Sequence, residues 1–335
     1  MEMTGEVVDG WGIIGHEGVV ELLRNFLGKG SVPHALLLTG PRGMGKSTIA
    51  EKWAAAVNCL ADDPTARPCG RCRSCALHAS GRHPDLLHLR PVKGAWRIDQ
   101  VRDLERNLML SPVEGRYRVA ILEDFDLATP AAANALLKTL EEPAPHALIV
   151  LTATEESNLL PTIISRCQVL RLRPVPEETL VRGLVFHGID EGRARLYARI
   201  SGGRPGLALR MHEDPELLAR RGAFWRDLLE ALRSNYADRM LYAGRLAENP
   251  TALSEWFDYW IGWWRDVTLI QEGAPQSVVS MDLEADLEDI ARKIPDGEAV
   301  DYLKRLWRGF SMWNSNVNLK LLLEDLLLQM PVVSV

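Results

Sequence analysis

Short, continuously apolar runs punctuate the first half of the chain, and stretches with helical spacing separate them. Ala35–Thr39 (ALLLT), Val119–Leu122 (VAIL) and Ala147–Thr152 (ALIVLT) have the length and content of strands buried on both faces. Their alternation with helical stretches up to about residue 170 predicts an α/β domain around a parallel sheet. The proline-containing stretch RLRPVPEE at 171–178 interrupts that rhythm, and helical periodicity dominates beyond it. GAPQSVVS at 273–280 reads as a loop and Ile294–Gly297 (IPDG) as a turn. Two helical stripes stand out in the last third: Trp256, Trp260, Trp263 and Trp264, and Leu319, Leu322, Leu323 and Leu326. The tryptophan stripe suits a core or a subunit interface better than stacked single-stranded bases, because Glu255, Asp258 and Asp266 flank it.

Composition changes this picture little. The 335 residues are 47% hydrophobic and 25% charged, enough for two or three ordinary globular domains. A net charge of −6 supplies no global basic field, so any contact with DNA must be local or shared with partners. The longest apolar runs are too short to span a bilayer, and MEMTGEVVDGWG lacks a secretory apolar segment; a cytoplasmic protein without membrane partners is expected.

The first chemistry follows the first strand. Gly40, Pro41, Arg42, Gly43, Met44, Gly45, Lys46 and Ser47, with Thr48 after them, match GxxxxGK[ST] between a strand and a helix. In that setting backbone N–H groups surround a polyphosphate, Lys46 neutralises β/γ-phosphate charge and Ser47 ligates Mg²⁺. ATP or ADP is the expected ligand. Further on, VAILEDFDLAT at 119–129 delivers Glu123 and Asp124 at the end of a strand, a common way to hold Mg²⁺ beside a nucleotide.

Between these motifs, NCLADDPTARPCGRCRSCALH brings Cys59, Cys69, Cys72 and Cys75 close in sequence. Four thiolates suit tetrahedral Zn²⁺, at Zn–S of about 2.3 Å. Disulfides and buried free thiols are the rivals; a reducing compartment opposes the first and the polar, Arg-rich segment the second. With all four positions filled the zinc is structural. His78 and His83 read as surface or packing residues.

ANALLKTLEEP at 133–143 and LLPTIISRCQ at 159–168 complete an ordered set of motifs. Together they resemble bacterial clamp-loader subunits, the AAA+ proteins of the DNA polymerase III holoenzyme, over roughly residues 10–210. SGGRPGLAL at 201–209, the chain length and NVNLKLLLEDLLLQM at 316–330 are similar to the delta-prime branch.

The resemblance implies a RecA-like AAA+ nucleotide domain at 1–172 with a four-cysteine zinc insertion at 59–75. A helical lid at 173–212 and an all-α collar at 213–335 would follow. It implies gamma/tau and delta subunits as hetero-oligomeric partners, and through them the sliding clamp and primed DNA.

It also assigns roles. Ile14, Gly15 and His16 match the adenine-side segment. Thr154 stands at the polar sensor of the γ-phosphate. Glu123 and Asp124 invert the usual Asp-Glu order; Asp124 is one methylene short for polarising the attacking water, so the chain's own hydrolysis is expected to be slow or absent. Gly206 occupies the place of the motor's lid arginine, with Arg204 nearby. Arg166, in Ser165-Arg166-Cys167, corresponds to the arginine that enters a neighbour's nucleotide site; a structural ion pair is its alternative reading. A gamma/tau-type ATPase motor is the alternative for the whole chain, favoured by its intact GPRGMGKS.

Overall fold

The structure is a computed structural model, described here for residues 11–92, 94–249, 253–313 and 317–333. Five strands form one sheet: β1 (Ala35–Thr39), β2 (Leu86–Leu89), β3 (Arg118–Leu122), β4 (Ala147–Ala153) and β5 (Gln168–Arg171). Their order is β2-β3-β4-β1-β5, and every pairing is parallel. Leu37 lies opposite Leu151 on one side and Val169 on the other, and Ala120 lies opposite Ile149. The three strands legible in the sequence are the three central ones, buried at every position. The flanking β2 and β5 carry polar or exposed positions, as edges of a covered parallel sheet do.

The period of two along a strand divides the packing into two layers. Leu36, Leu38, Val119, Ile121, Leu148 and Val150 face one layer, with Val20, Leu23 and Leu27 of α1 (Glu17–Gly28) and Ile49 and Trp53 of α2 (Lys46–Val57). Leu37, Ala120, Leu122, Ile149 and Leu151 face the other, against α4 (Ile98–Leu108) and α5 (Pro130–Glu141). Between these lies α3 (Arg73–Ala79), whose N-cap is Cys72. Thr129 caps α5 by accepting from Ala132 N, with Pro130 at the first helical position. After β4 come the short α6 (Pro161–Ile164), then α7 (Glu177–Phe186), α8 (Glu191–Ile200) and α9 (Pro205–Glu213). This is the α/β domain around a parallel sheet that the alternation of strands and helices predicted.

The chain divides into two compact units. The first runs to Ala198 and takes in Gly203–Ala208; the second holds Arg199–Gly202 and the chain from Leu209. Helices build the second unit: α10 (Pro215–Arg233), α11 (Tyr236–Glu248), α12 (Leu253–Gln271), α13 (Glu284–Lys293), α14 (Glu298–Trp313) and α15 (Leu319–Leu328). The turn expected at Ile294–Gly297 separates α13 from α14, and the loop expected at 273–280 includes a short 3₁₀ turn, Pro275–Ser277. None of the described helices is long and apolar enough to cross a membrane.

Of the two readings of the tryptophan stripe, core or subunit interface, the structure shows the core. Trp256, Trp260, Trp263 and Trp264 are all buried inside the second unit's own core. Trp256 and Trp260 lie 4.5 Å apart between ring centroids, and Trp264 meets Tyr302 edge-on at 4.7 Å. Interior burial in the chain itself leaves these rings for neither bases nor a neighbouring subunit. Leu322, Leu323 and Leu326 join the same core.

One buried cation closes this core. Arg239, in α11, is 1% exposed. Its Nε donates to Ala231 O at 2.9 Å, Nη1 to Leu327 O at 3.1 Å and Met330 O at 2.6 Å, and Nη2 to Pro331 O at 3.1 Å. Those carbonyls belong to the ends of α10 and α15 and the segment after α15, where helices leave acceptors unsatisfied and favour positive charge. Replacing it leaves buried carbonyls without donors, at about 1–3 kcal/mol each. Arg239→Met should therefore lower the second unit's stability by roughly 3 kcal/mol, read as a shift in denaturant midpoint by tryptophan fluorescence.

Candidate functional site

The loop from β1 to α2 is shaped for close backbone approach. Gly40, Gly43 and Gly45 have φ of 142°, 81° and 90°, which side chains disfavour. A Cβ on Gly40 would lie 2.6 Å from Leu172 O, and one on Gly43 2.9 Å from Leu207 Cβ. Gly45 is the N-cap of α2, whose first N–H groups and positive end face the loop. Lys46 is buried, and Nζ donates to Gly40 O at 2.5 Å and Pro41 O at 3.0 Å. Burial lowers its pKa, against the opposing charges of Asp124 and Asp126. Pro41, Arg42 and Thr48 are exposed.

Behind the loop, Met44 is buried and its carbonyl accepts from His16 Nε2 at 3.0 Å. Burial lowers the His16 pKa more than this bond raises it. Ile14 packs so closely on α7 that a Cβ on Gly183 would lie 2.4 Å from Ile14 Cγ2, and Gly15 fits equally tightly against Val175. Of these three residues His16 meets the phosphate loop, while Ile14 and Gly15 pack against α7 and the residue Val175 before it.

The acidic strand end is more heavily engaged than the sequence indicates. Glu123 follows the last residue of β3, and its Oε1 takes His88 Nε2 at 2.8 Å while Oε2 takes Arg90 Nε at 2.7 Å. Ser47, at the start of α2, lies near enough to favour its ionised form. Burial pushes the Glu123 pKa up, but His88, Ser47 and Arg90 outweigh it and hold the carboxyl down at about 2. Asp124 sits in the left-handed region at φ 47°, and its N–H donates to Thr152 Oγ1 at 2.9 Å. Burial raises the Asp124 pKa, against the attraction of Arg42.

The strand does not continue to Asp126. A 3₁₀ turn at Phe125–Leu127 redirects the chain, and Asp126 Oδ2 accepts from Thr154 N at 3.0 Å and from Thr154 Oγ1. A threonine hydroxyl has a single proton to donate. Here it goes to a carboxylate, so the sensor position is turned toward Asp126.

Two residues that brace Glu123, His88 and Arg90, escape a search for motifs. They belong to β2 and the residue after it, a half-buried strand beside β3. Magnesium fits this donor set poorly. Ser47 and Glu123 converge as required, but both carboxylate oxygens already accept hydrogen bonds, and Arg90 neutralises the charge that would attract a hydrated dication.

The start of α9 also touches the loop. Gly206 N donates to Gly43 O at 2.8 Å, and a Cβ on Gly206 would lie 3.0 Å from that oxygen. The position aligned with a lid arginine is therefore pressed against the loop's backbone. Arg166, after α6, is partly exposed; Nη2 pairs with Glu141 Oε1 at 2.6 Å and Nη1 donates to Thr162 O at 2.9 Å.

Cys59, Cys69, Cys72 and Cys75 place their sulfurs within 4.8 Å of one another, and none forms a disulfide. Tetrahedral Zn–S bonds of about 2.3 Å imply S···S of about 3.8 Å, so the cluster fits a zinc ion. Backbone N–H groups of Cys69 and Cys75 donate to Cys59 Sγ at 3.3 Å and Cys72 Sγ at 3.4 Å. N–H groups of Arg71 and Cys72 draw the Cys69 thiol down to about 6, while burial pushes the Cys59 and Cys75 thiols up; the case for a metal rests on the spacing of the four sulfurs. His78 and His83 stack on each other with ring centroids 4.1 Å apart, and His83 is buried against Ser74.

A family model described as "DNA polymerase III, delta subunit" matches residues 15–176. The DNA polymerase III subunit delta' of Pseudomonas aeruginosa is 34% identical over 90% of this chain and 93% of its own. The DNA polymerase III subunit tau of Escherichia coli is 36% identical over 53% of this chain, but only 27% of the longer tau chain is covered. Among solved structures, a DNA polymerase III gamma subunit-related protein of Thermotoga maritima aligns at a TM-score of 0.42 and 20% identity, over 92% of this chain and 97% of its own.

The depressed Glu123 pKa has a consequence for acid stability. A carboxyl lowered from 4.5 to about 2 stabilises the fold above pH 4.5, and that contribution is lost as pH falls toward 2. Glu123→Gln should be less stable than wild type at neutral pH, and the gap in urea midpoint should close across that acid window.

Proposed function

This chain is a member of the DNA polymerase III clamp-loader subunit family, and from that premise we propose that it serves as a delta-prime-type subunit. In this role it holds a nucleotide, organises a hetero-oligomeric loader with gamma/tau and delta subunits, and supplies Arg166 to a neighbour's site. The assembly uses ATP to load the sliding clamp on primed DNA. The observation that carries the reading is how much of this chain each relative matches: the delta' relative over 90% of it, the tau relative over 53%.

The site's chemistry supports the same division of labour. Loop N–H groups and the N-terminus of α2 receive the phosphates of ATP or ADP, and Lys46 exchanges its carbonyl partners for phosphate oxygens. Hydrolysis by this site is slow or absent. The Thr154 proton is committed to Asp126, Glu123 to its braces, and Gly206 offers no guanidinium. The intact loop alone favours the motor reading, and it serves binding equally well.

Arg166 is suited to act outside its own chain. A partly exposed ion pair such as Arg166–Glu141 is worth about 0–1 kcal/mol, so exchanging Glu141 for a phosphoryl oxygen costs little. A guanidinium delivered in that way stabilises charge spread over the transferring phosphoryl group. Separately, Cys59, Cys69, Cys72 and Cys75 hold Zn²⁺ as a structural ion that ties the 59–75 segment together, with no open position for catalysis.

In reconstituted loader, Arg166→Ala should assemble normally and reduce the stimulated turnover of the adjoining site by about 10³-fold; an unchanged stimulated ATPase defeats the finger role. The purified chain should release about one zinc per molecule to a chromogenic chelator after thiol modification, and Cys69→Ser should lower that content.

A further inference from the structure

We propose that Arg90 and His88 set the metal dependence of this nucleotide site, allowing the loop to hold a nucleoside di- or triphosphate without Mg²⁺. The inference rests on the nucleotide-binding reading and deepens it. His88 lies opposite Ile121 in the β2–β3 register, and Glu123 follows Ile121 by two positions. Strand periodicity therefore sets both on the side of the sheet that α2 covers. From α2, Ser47 reaches Glu123 and Glu51 reaches His88 Nδ1 at 3.3 Å; the two lie four apart and share a helix face. Arg90 closes this ladder from its solvent side, with Nε 2.7 Å from Glu123 Oε2 and its side chain 71% exposed.

The electrostatic logic follows from that geometry. At a metal-dependent site the strand-end acid and the phosphates repel each other, and a dication between them removes the repulsion. Here a guanidinium within the protein already neutralises the acid. The phosphates then face Lys46, the loop N–H groups and the start of α2, with Glu123 compensated by Arg90 and with Asp124 and Asp126 set against Lys46 and Arg42. Arg90 and His88 act through Glu123 and are positioning residues.

The test measures binding of a fluorescent ADP analogue to the full chain in excess Mg²⁺ and in EDTA, for wild type, Arg90→Gln, His88→Gln and the double variant. Bound Mn²⁺ is followed in parallel by its electron paramagnetic resonance signal. Wild type should bind nucleotide nearly equally in both buffers and leave the Mn²⁺ signal unquenched. The double variant should gain about a tenfold preference for the metal-containing buffer, worth about 1.4 kcal/mol, and take up Mn²⁺ with nucleotide. Because Arg90 is largely exposed, Arg90→Gln gives a readout even if His88→Gln disturbs the sheet edge.

A tenfold loss of wild-type affinity in EDTA, Mn²⁺ uptake by the wild-type complex, or variants no more metal-dependent than wild type overturns the inference while nucleotide binding stands. Wild type that binds no nucleotide in either buffer overturns the nucleotide reading, and this inference with it.

Discussion

Everything at the candidate site depends on the parallel pairing of β3, β4 and β1. That pairing sets three strand ends side by side: Thr39 before the phosphate loop, Ala153 before Thr154, and Leu122 before Glu123. Parallel strands bring their C-terminal ends to one edge of a sheet, where crossover connections leave a crevice for a ligand. The apolar residues that make these strands continuous are also what forces the polar groups to cluster at their ends. Packing and chemistry are here two results of one alternation.

Within that crevice several polar groups satisfy one another, although Asp126 Oδ1 is buried without a partner. Glu123 is held by His88 and Arg90, Thr154 by Asp126, and the Gly43 carbonyl by the start of α9. Such mutual satisfaction lowers the cost of burying polar groups. It also leaves fewer of them to follow a phosphate through a reaction.

Much of this was legible in the sequence, for identifiable reasons. Fully buried strands announce themselves by unbroken apolar runs, which is why β1, β3 and β4 stood out. The half-buried LLHL and QVLR of β2 and β5 do not, and with β2 went His88 and Arg90. Their role depends on register with a strand some thirty residues away in sequence, which no local spacing encodes. The partner of Asp126 depended on where the strand ends, and the 3₁₀ turn at Phe125–Leu127 decided that. The tryptophan stripe was read correctly as apolar packing surface. Periodicity gives the face but not what covers it, and the cover is α10, α11 and α14 of the same chain.

Two bonds anchor the phosphate loop from its far side. Gly206 N holds the Gly43 carbonyl and His16 Nε2 holds the Met44 carbonyl. A trans peptide is planar, with its oxygen and its amide hydrogen on opposite sides. Tethering an oxygen from behind therefore aims the next residue's N–H forward, so Met44 and Gly45 present donors whose directions are fixed in advance. An incoming anion is spared the entropy of arranging them, and a shift of α9 or of His16 would re-aim the cradle without touching any atom that meets the ligand.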